Sequence, residues 1–306
     1  MSKIKTAIVG ATGYTGSELV RILSLHPNVS IEAITSESYA GQKFSDIHSS
    51  FTGLCDIELI KSEDLSVNSL DAIFLALPHG IAMDYAKKYY DKVDCIIDLS
   101  ADFRLPSPDI YEKWYPKDHT AKDLFENAVY GLCEWNRNEI KQARLIANPG
   151  CYPTASLLPI LPLIKENLIN PDTIIVDAKS GVTGAGAKAK QNTHFPHISG
   201  NFNAYGLFSH RHTPEIECEL ASKGEKDVKV LFTPHLLPVD RGILSTIYLD
   251  PIKPVDVSLL RDFYQKYYGN AYFVRNTDTL PQIKNVKGSN FADVYVDYDE
   301  RSGKIM

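Results

Sequence analysis

"KIKTAIVGATGYTGSELVRIL", residues 3–23, is the stretch on which the fold turns. It opens with an apolar, β-branched run and breaks into Gly10, Gly13 and Gly16. It then resumes with Leu19, Val20, Ile22 and Leu23 at helical spacing. Strand, glycine turn and helix in that order are the context a phosphate-binding loop needs. Gly10 would permit the tight turn, Gly13 would let the backbone approach a diphosphate, and Gly16 would let the helix pack on the strand. The helix start at Tyr14, Thr15 and Ser17 would add N–H donors for an anion, with Thr12 in the same loop. The spacing is G-x-x-G-x-x-G, a variant of the usual G-x-G-x-x-G. Glycines punctuate many structural turns, but the correct flanks on both sides favour a dinucleotide here.

The alternation continues outward from that loop. Residues 29–35 (VSIEAIT), 71–77 (DAIFLAL) and 94–100 (DCIIDLS) read as strands, and 82–90 (AMDYAKKYY) as a helix. Strands alternating with helices predict a doubly wound, Rossmann-type parallel sheet with its ligand at the carboxyl ends of the strands. Pro78 in "LPHG" and Arg104 in "SADFR" fall just after two of those strands. The second strand ends in "TSES". Ser36 and Ser38 there offer hydroxyls suited to a 2′-phosphate, whereas Glu37 would repel one if it pointed inward. NADP (NADPH) is therefore expected over NAD.

The 306 residues suggest about two domains, and 44% hydrophobic with 23% charged residues is an ordinary globular composition. A net charge of −6 gives no general invitation to nucleic acid or to an anionic membrane surface. The N-terminal apolar run is cut short by glycines and lacks a cleavage-like site, so no signal peptide is expected. No apolar run approaches the ~20 residues that span a bilayer. The five cysteines form no C-x-x-C pair and make a poor disulfide framework, which fits a reduced, cytoplasmic location. Cys55, Cys95, Cys133 and Cys218 read as small buried hydrophobes.

Cys151 differs. "LIANPGCYPTASL" (145–157) reads as strand, Pro-Gly break and helix start, which puts the thiol among backbone N–H groups that favour negative charge. Such a setting makes a thiol a nucleophile rather than a core residue. Beyond it the pattern changes to longer strands with fewer helices. Residues 1–150 are thus expected to form the nucleotide-binding domain. Residues 151–306 should form an α+β catalytic domain on a mainly antiparallel sheet, with Arg241 and Gly242 at a turn between two strands. "SHRHTPEIE" (209–217) has the form of a helix start with Thr213 as N-cap and Pro214 at the first position. His210 and His212 precede that start, where the helix's positive end keeps an imidazole neutral and available as a base. With no cysteine or third histidine nearby, no metal site is expected.

A nucleotide loop, a thiol at a helix start and a histidine base describe acyl-thioester chemistry with a nicotinamide cofactor. "GATGYTGSEL", "ALPHG", "DLSADFR", "NPGCYPTA", "SGVTGAGA" and "HRHTPEI" occur in the order found in N-acetyl-gamma-glutamyl-phosphate reductases, which this chain resembles over nearly its whole length. The resemblance implies NADPH-dependent reduction of an acyl phosphate to a semialdehyde in arginine biosynthesis, by a homo-oligomer. It implies Cys151 as nucleophile, His212 ahead of His210 as base, Ser180 and Gly181 at the cofactor, and Glu215 at the substrate. The substrate so implied is anionic at both ends, and Arg104, Arg211 and Arg241 are the candidate cations. Ala187 stands where such reductases usually carry arginine, leaving Lys188 as the neighbouring cation. Family chains also run past the position of Met306 into a helix that returns to the nucleotide domain, which this sequence does not include. A carrier-linked acyl-phosphate reductase of lysine biosynthesis, aspartate-semialdehyde dehydrogenase and a non-catalytic nucleotide sensor are the competing readings.

Overall fold

The computed structural model describes residues 2–306, and the chain divides into two compact units between Pro149 and Gly150. In the first unit the elements run β1 (Ile4–Val9), α1 (Tyr14–Ser24), β2 (Val29–Thr35), α2 (Phe44–Ile47), β3 (Leu59–Ile60), β4 (Ala72–Leu75), α3 (Ala82–Tyr89), β5 (Cys95–Asp98), α4 (Pro108–Trp114), β6 (Ala128–Tyr130), α5 (Cys133–Ile140) and β7 (Leu145–Ala147). The seven strands form one sheet in the order β3-β2-β1-β4-β5-β7-β6, with every pairing parallel. Successive side chains of a strand point to opposite faces. Ala7 and Val9 accordingly join the core beneath α3, with Met83, Ala86 and Tyr89. Ile8 joins the opposite core, with Val20 and Leu23 of α1. A sheet buried on both faces explains why its strands read as continuous apolar runs.

The second unit runs α6 (Cys151–Lys165), β8 (Ile174–Gly181), α7 (Phe195–Ile198), β9 (Asn203–Ala204), α8 (His212–Gly224), β10 (Val230–Leu237), β11 (Ile243–Tyr248), α9 (Val257–Tyr268), β12 (Val274–Asn276), α10 (Ile283–Val286), β13 (Ala292–Val294), β14 (Tyr298–Asp299) and β15 (Lys304–Ile305). Its main sheet is mixed, in the order β11-β8-β10-β9. Two pairings are antiparallel, and the central β8–β10 pairing is parallel over eight residues. The parallel pair is allowed because α8 lies in the connection between those strands. β10 and β11 flank the Arg241–Gly242 turn but are not neighbours, since β11 pairs with the other edge of β8.

α6 carries Pro159 and Pro162 in its interior, where each lacks the N–H that a helix needs. The Leu158 carbonyl, which the residue at 162 would otherwise bond, instead accepts the Tyr268 hydroxyl from α9 at 2.5 Å. Tyr264, one turn earlier on α9, donates to the Pro159 carbonyl. At Leu158 the neighbouring helix thus supplies the donor that Pro162 lacks. Among the described residues no helix is long and apolar enough to cross a membrane, and no disulfide joins the cysteines. Cys133 corrects its expected burial: it begins α5 on the surface and is exposed.

Candidate active site

In the first unit Gly10 has φ +86°, the left-handed turn that only glycine adopts without strain. A methyl group on Gly16 would lie 2.3 Å from the Gly10 carbonyl and 2.6 Å from the Ala11 α-carbon, so α1 sits directly on the loop. Gly13 is different. It is the N-cap of α1, and a methyl there would find nothing closer than 3.9 Å. The space above the helix start is therefore open. No side chain caps α1 and no acidic residue lies in its first turn, where Tyr14 and Thr15 are exposed. That is a cradle of N–H groups fit for a diphosphate. The loop is tied to β2, with Ala11 N–H donating to the Thr35 carbonyl and the Thr12 and Ser36 hydroxyls 3.0 Å apart. Ser36 is buried and Ser38 exposed. Glu37 accepts the Ser62 N–H at 3.1 Å.

The loop holding Pro78 is fixed by a buried network that sequence reasoning did not find. Asp102 accepts the Gly80 and Met83 N–H groups at 2.7 and 3.0 Å, and the Tyr111 hydroxyl at 3.0 Å. His79 Nδ1 accepts the Ala101 N–H at 2.9 Å. Asp98 accepts both the N–H and the hydroxyl of Ser100. Burial, with Asp102 close by, pushes Asp98 up to about 7. The signal was present in "DLSADFR", whose two aspartates had no partners readable from sequence. Arg104 of the same motif corrects an expectation. It is buried, and it donates to the Asn148 carbonyl at 2.6 Å and the Leu99 carbonyl at 2.8 Å. Its guanidinium joins the ends of β5 and β7 rather than standing open to a substrate.

In the second unit Cys151 is the first residue of α6 and is exposed. Gly150 is the N-cap, and none of the first-turn residues is acidic, so the helix's own N–H groups face the thiol. α8 begins at His212, with Arg211 as N-cap, rather than after Thr213. The reason is His210, whose Nδ1 accepts the His212 N–H at 3.1 Å and starts the helix before the Thr-Pro pair. Pro214 is then an ordinary first-turn proline. Burial, with Arg211 next to it, pushes His210 down to about 4. The two imidazoles lie 4.8 Å apart within rings that the sequence did not flag. Tyr152 is 5.5 Å from His210 and 5.9 Å from His212, and Phe232 is 5.3 Å from His210.

Glu215, expected at the substrate, is 1% exposed, and its Oε1 accepts the Gly150 N–H at 2.7 Å. A buried carboxylate facing the start of α6 is not placed for an anionic ligand. Ser180 is buried. The glycine at 181 is required by packing, since a methyl there would meet the Asp240 carbonyl at 2.7 Å and the Arg241 N–H at 2.8 Å. Arg211 and Arg241 are exposed at the start of α8 and in the loop after β10. A cavity of about 540 Å³ is lined by Cys151, Thr154, Leu158, Ser245 and Phe291 among others, with no lysine or arginine in its wall. Among the described residues no group of three His, Cys, Asp or Glu is placed to hold a metal ion.

Residues 5–143 match the NAD binding domain of semialdehyde dehydrogenases, and residues 151–306 match their dimerisation domain. The N-acetyl-gamma-glutamyl-phosphate reductase of Pelotomaculum thermopropionicum is 47% identical over 309 residues, covering 99% of this chain and 88% of its own length. Those of Desulforamulus reducens and Campylobacter jejuni are 46% and 45% identical with similar coverage. Among solved structures, aspartate semialdehyde dehydrogenase II of Vibrio cholerae superposes with a TM-score of 0.74 over 100% of this chain and 91% of that one, at 16% identity. The Candida albicans aspartate semialdehyde dehydrogenase with NADP gives 0.67 over 98% and 90%, at 18% identity. A dinucleotide cradle on one unit, a thiol at a helix start on the other, and near-full-length identity of this order lead to one conclusion: the chain belongs to the semialdehyde dehydrogenases and, among them, to the N-acetyl-gamma-glutamyl-phosphate reductase family.

Proposed function

We propose that the protein reduces N-acetyl-L-glutamyl 5-phosphate to N-acetyl-L-glutamate 5-semialdehyde with NADPH, in arginine biosynthesis, through a thioester on Cys151. The observation that carries this reading is the exposed thiol at the first position of α6. His212 accepts the thiol proton, and the sulfur attacks the acyl carbon. The carbon–oxygen bond to phosphate breaks, and phosphate leaves with that electron pair. A nicotinamide held by the first unit would supply the hydride for reduction of the thioester carbonyl. His212 then gives its proton to the thiohemiacetal oxygen. When the carbon–sulfur bond breaks, its electrons return to sulfur and the hydroxyl proton returns to His212. His210, with Nδ1 engaged by the His212 N–H and its basicity lowered by burial, orders this turn instead of moving the proton.

Gly10, Gly13 and Gly16 with the first turn of α1 would hold the diphosphate, and Pro78 would lie at the nicotinamide side of the sheet. Ser36 and Ser38 favour NADP, a reading helped by the engagement of Glu37 with Ser62. Arg211 and Arg241 are the cations left for the substrate's anionic ends, which the cation-free cavity beside Cys151 does not suit. A cytoplasmic homo-oligomer is the form in which we expect it to act. The test is NADP-dependent oxidation of N-acetylglutamate semialdehyde in phosphate, beside aspartate semialdehyde as control. Native protein should turn over the first substrate and Cys151→Ser should not. Preference for aspartate semialdehyde, or native-like turnover by folded Cys151→Ser, would overturn the proposal.

A further inference from the structure

Resting on that reading, we infer that Glu215 is a positioning residue, which sets the start of the nucleophile's helix against His212. Three observations converge on Gly150, the residue immediately before Cys151. The first is the bond from Gly150 N–H to Glu215 Oε1, made by a side chain that is 1% exposed. The second is spacing. His212 and Glu215 are three residues apart at the start of α8, so their side chains rise from one face of the helix. The third is space. A methyl on Gly150 would lie 2.7 Å from His212 Nε2 and 3.0 Å from Glu215 Oε2. Imidazole and carboxylate therefore both close on the α-carbon of Gly150.

Gly150 has φ −64° and ψ 156°, a conformation open to any residue. Glycine is required there by the room that His212 and Glu215 occupy, not by backbone freedom. The bond is charge-assisted and buried, which makes it stronger than a neutral one and costly to break. It joins α6 to α8 at the one point where thiol and imidazole must be held in register. A role in binding substrate is disfavoured, because both ends of the acyl phosphate are anionic and would be repelled.

The experiment compares Glu215→Ala, Glu215→Gln and Gly150→Ala with native protein in two assays. One is the rate of Cys151 alkylation by iodoacetamide, which needs neither substrate nor cofactor. The other is steady-state reduction. A misplacement of about 1 Å costs on the order of 10²-fold in rate. Glu215→Ala and Gly150→Ala should therefore lower kcat by that order with the acyl-phosphate KM within about threefold, and should slow alkylation. Glu215→Gln keeps an oxygen for the Gly150 N–H and should recover most of both losses. A raised KM with native kcat would make Glu215 a binding residue and overturn the inference, as would native alkylation rates in all three variants. If native protein shows no reductase activity while alkylation still depends on Glu215, the proposed reaction fails and the positioning role stands.

Discussion

Replacing Gly16 by alanine and Gly13 by valine should separate the two duties of the α1 loop. At Gly16 the added methyl meets three backbone atoms of Gly10 and Ala11 at 2.3–2.7 Å, where ordinary contact begins near 3.4 Å. None of these atoms belongs to a flexible side chain, so α1 must lift off the loop by about 1 Å, and overpacking of this kind costs about 1–3 kcal/mol. At Gly13 the nearest atom is 3.9 Å away. Loss of glycine at the N-cap costs under ~1 kcal/mol. The valine side chain instead fills the open space over the N–H groups. Denying the diphosphate two charge-assisted bonds, each worth about 1.5–3 kcal/mol, should weaken NADPH binding by 10²-fold or more. Urea unfolding followed by circular dichroism and equilibrium titration of NADPH fluorescence read the two effects separately. Gly16→Ala should lose stability; Gly13→Val should keep most of it and lose the dinucleotide. NADPH affinity in Gly13→Val within a factor of three of native would refute the cradle.

Other consequences follow from the buried groups. Asp98 is pushed up to about 7, so its folded form holds a proton that the unfolded chain releases near the usual carboxylate range. That contribution is full only below the usual carboxylate range and is lost progressively as pH rises from about 4 through 7, by at most on the order of 4 kcal/mol. Asp98→Asn should therefore raise the urea midpoint at pH 8 and raise it much less at pH 4.5; a lower midpoint at pH 8 would contradict the assignment. Tyr268→Phe leaves the Leu158 carbonyl of α6 without its donor and should cost about 1–3 kcal/mol in thermal unfolding, with no change in KM. His212→Asn should lower kcat by ~10²–10⁴-fold, whereas His210→Asn, which retains a side chain able to accept the His212 N–H, should lose less. The reverse ranking exchanges the two roles.

What could be read from the sequence was what local chemistry dictates. The β-branched run at 29–35 is β2 residue for residue, and Gly10 and Gly16 have the turn and the close approach that their spacing demanded. The start of α8 was misplaced because capping preferences point to Thr213, and no such rule lists a histidine whose Nδ1 accepts the first helical N–H. Arg104 was a candidate by its charge and its place after a strand, and Glu215 by the resemblance; both are folded inward onto backbone groups distant in sequence. The Asp98–Asp102 network and the Tyr268 hydroxyl on α6 depend on partners brought together only by tertiary packing. Pro159 and Pro162 by themselves would have argued for a break in α6.

The most direct test of the account is to mix the protein with N-acetyl-L-glutamyl 5-phosphate in the absence of nicotinamide cofactor, quench in acid and map the chain by mass spectrometry. Phosphate should be released in a burst of one per active chain, and the N-acetylglutamyl group should be found on the peptide carrying Cys151. Phosphate release without an adduct at Cys151, or an adduct that persists in Cys151→Ser, would contradict the thioester and with it the mechanism.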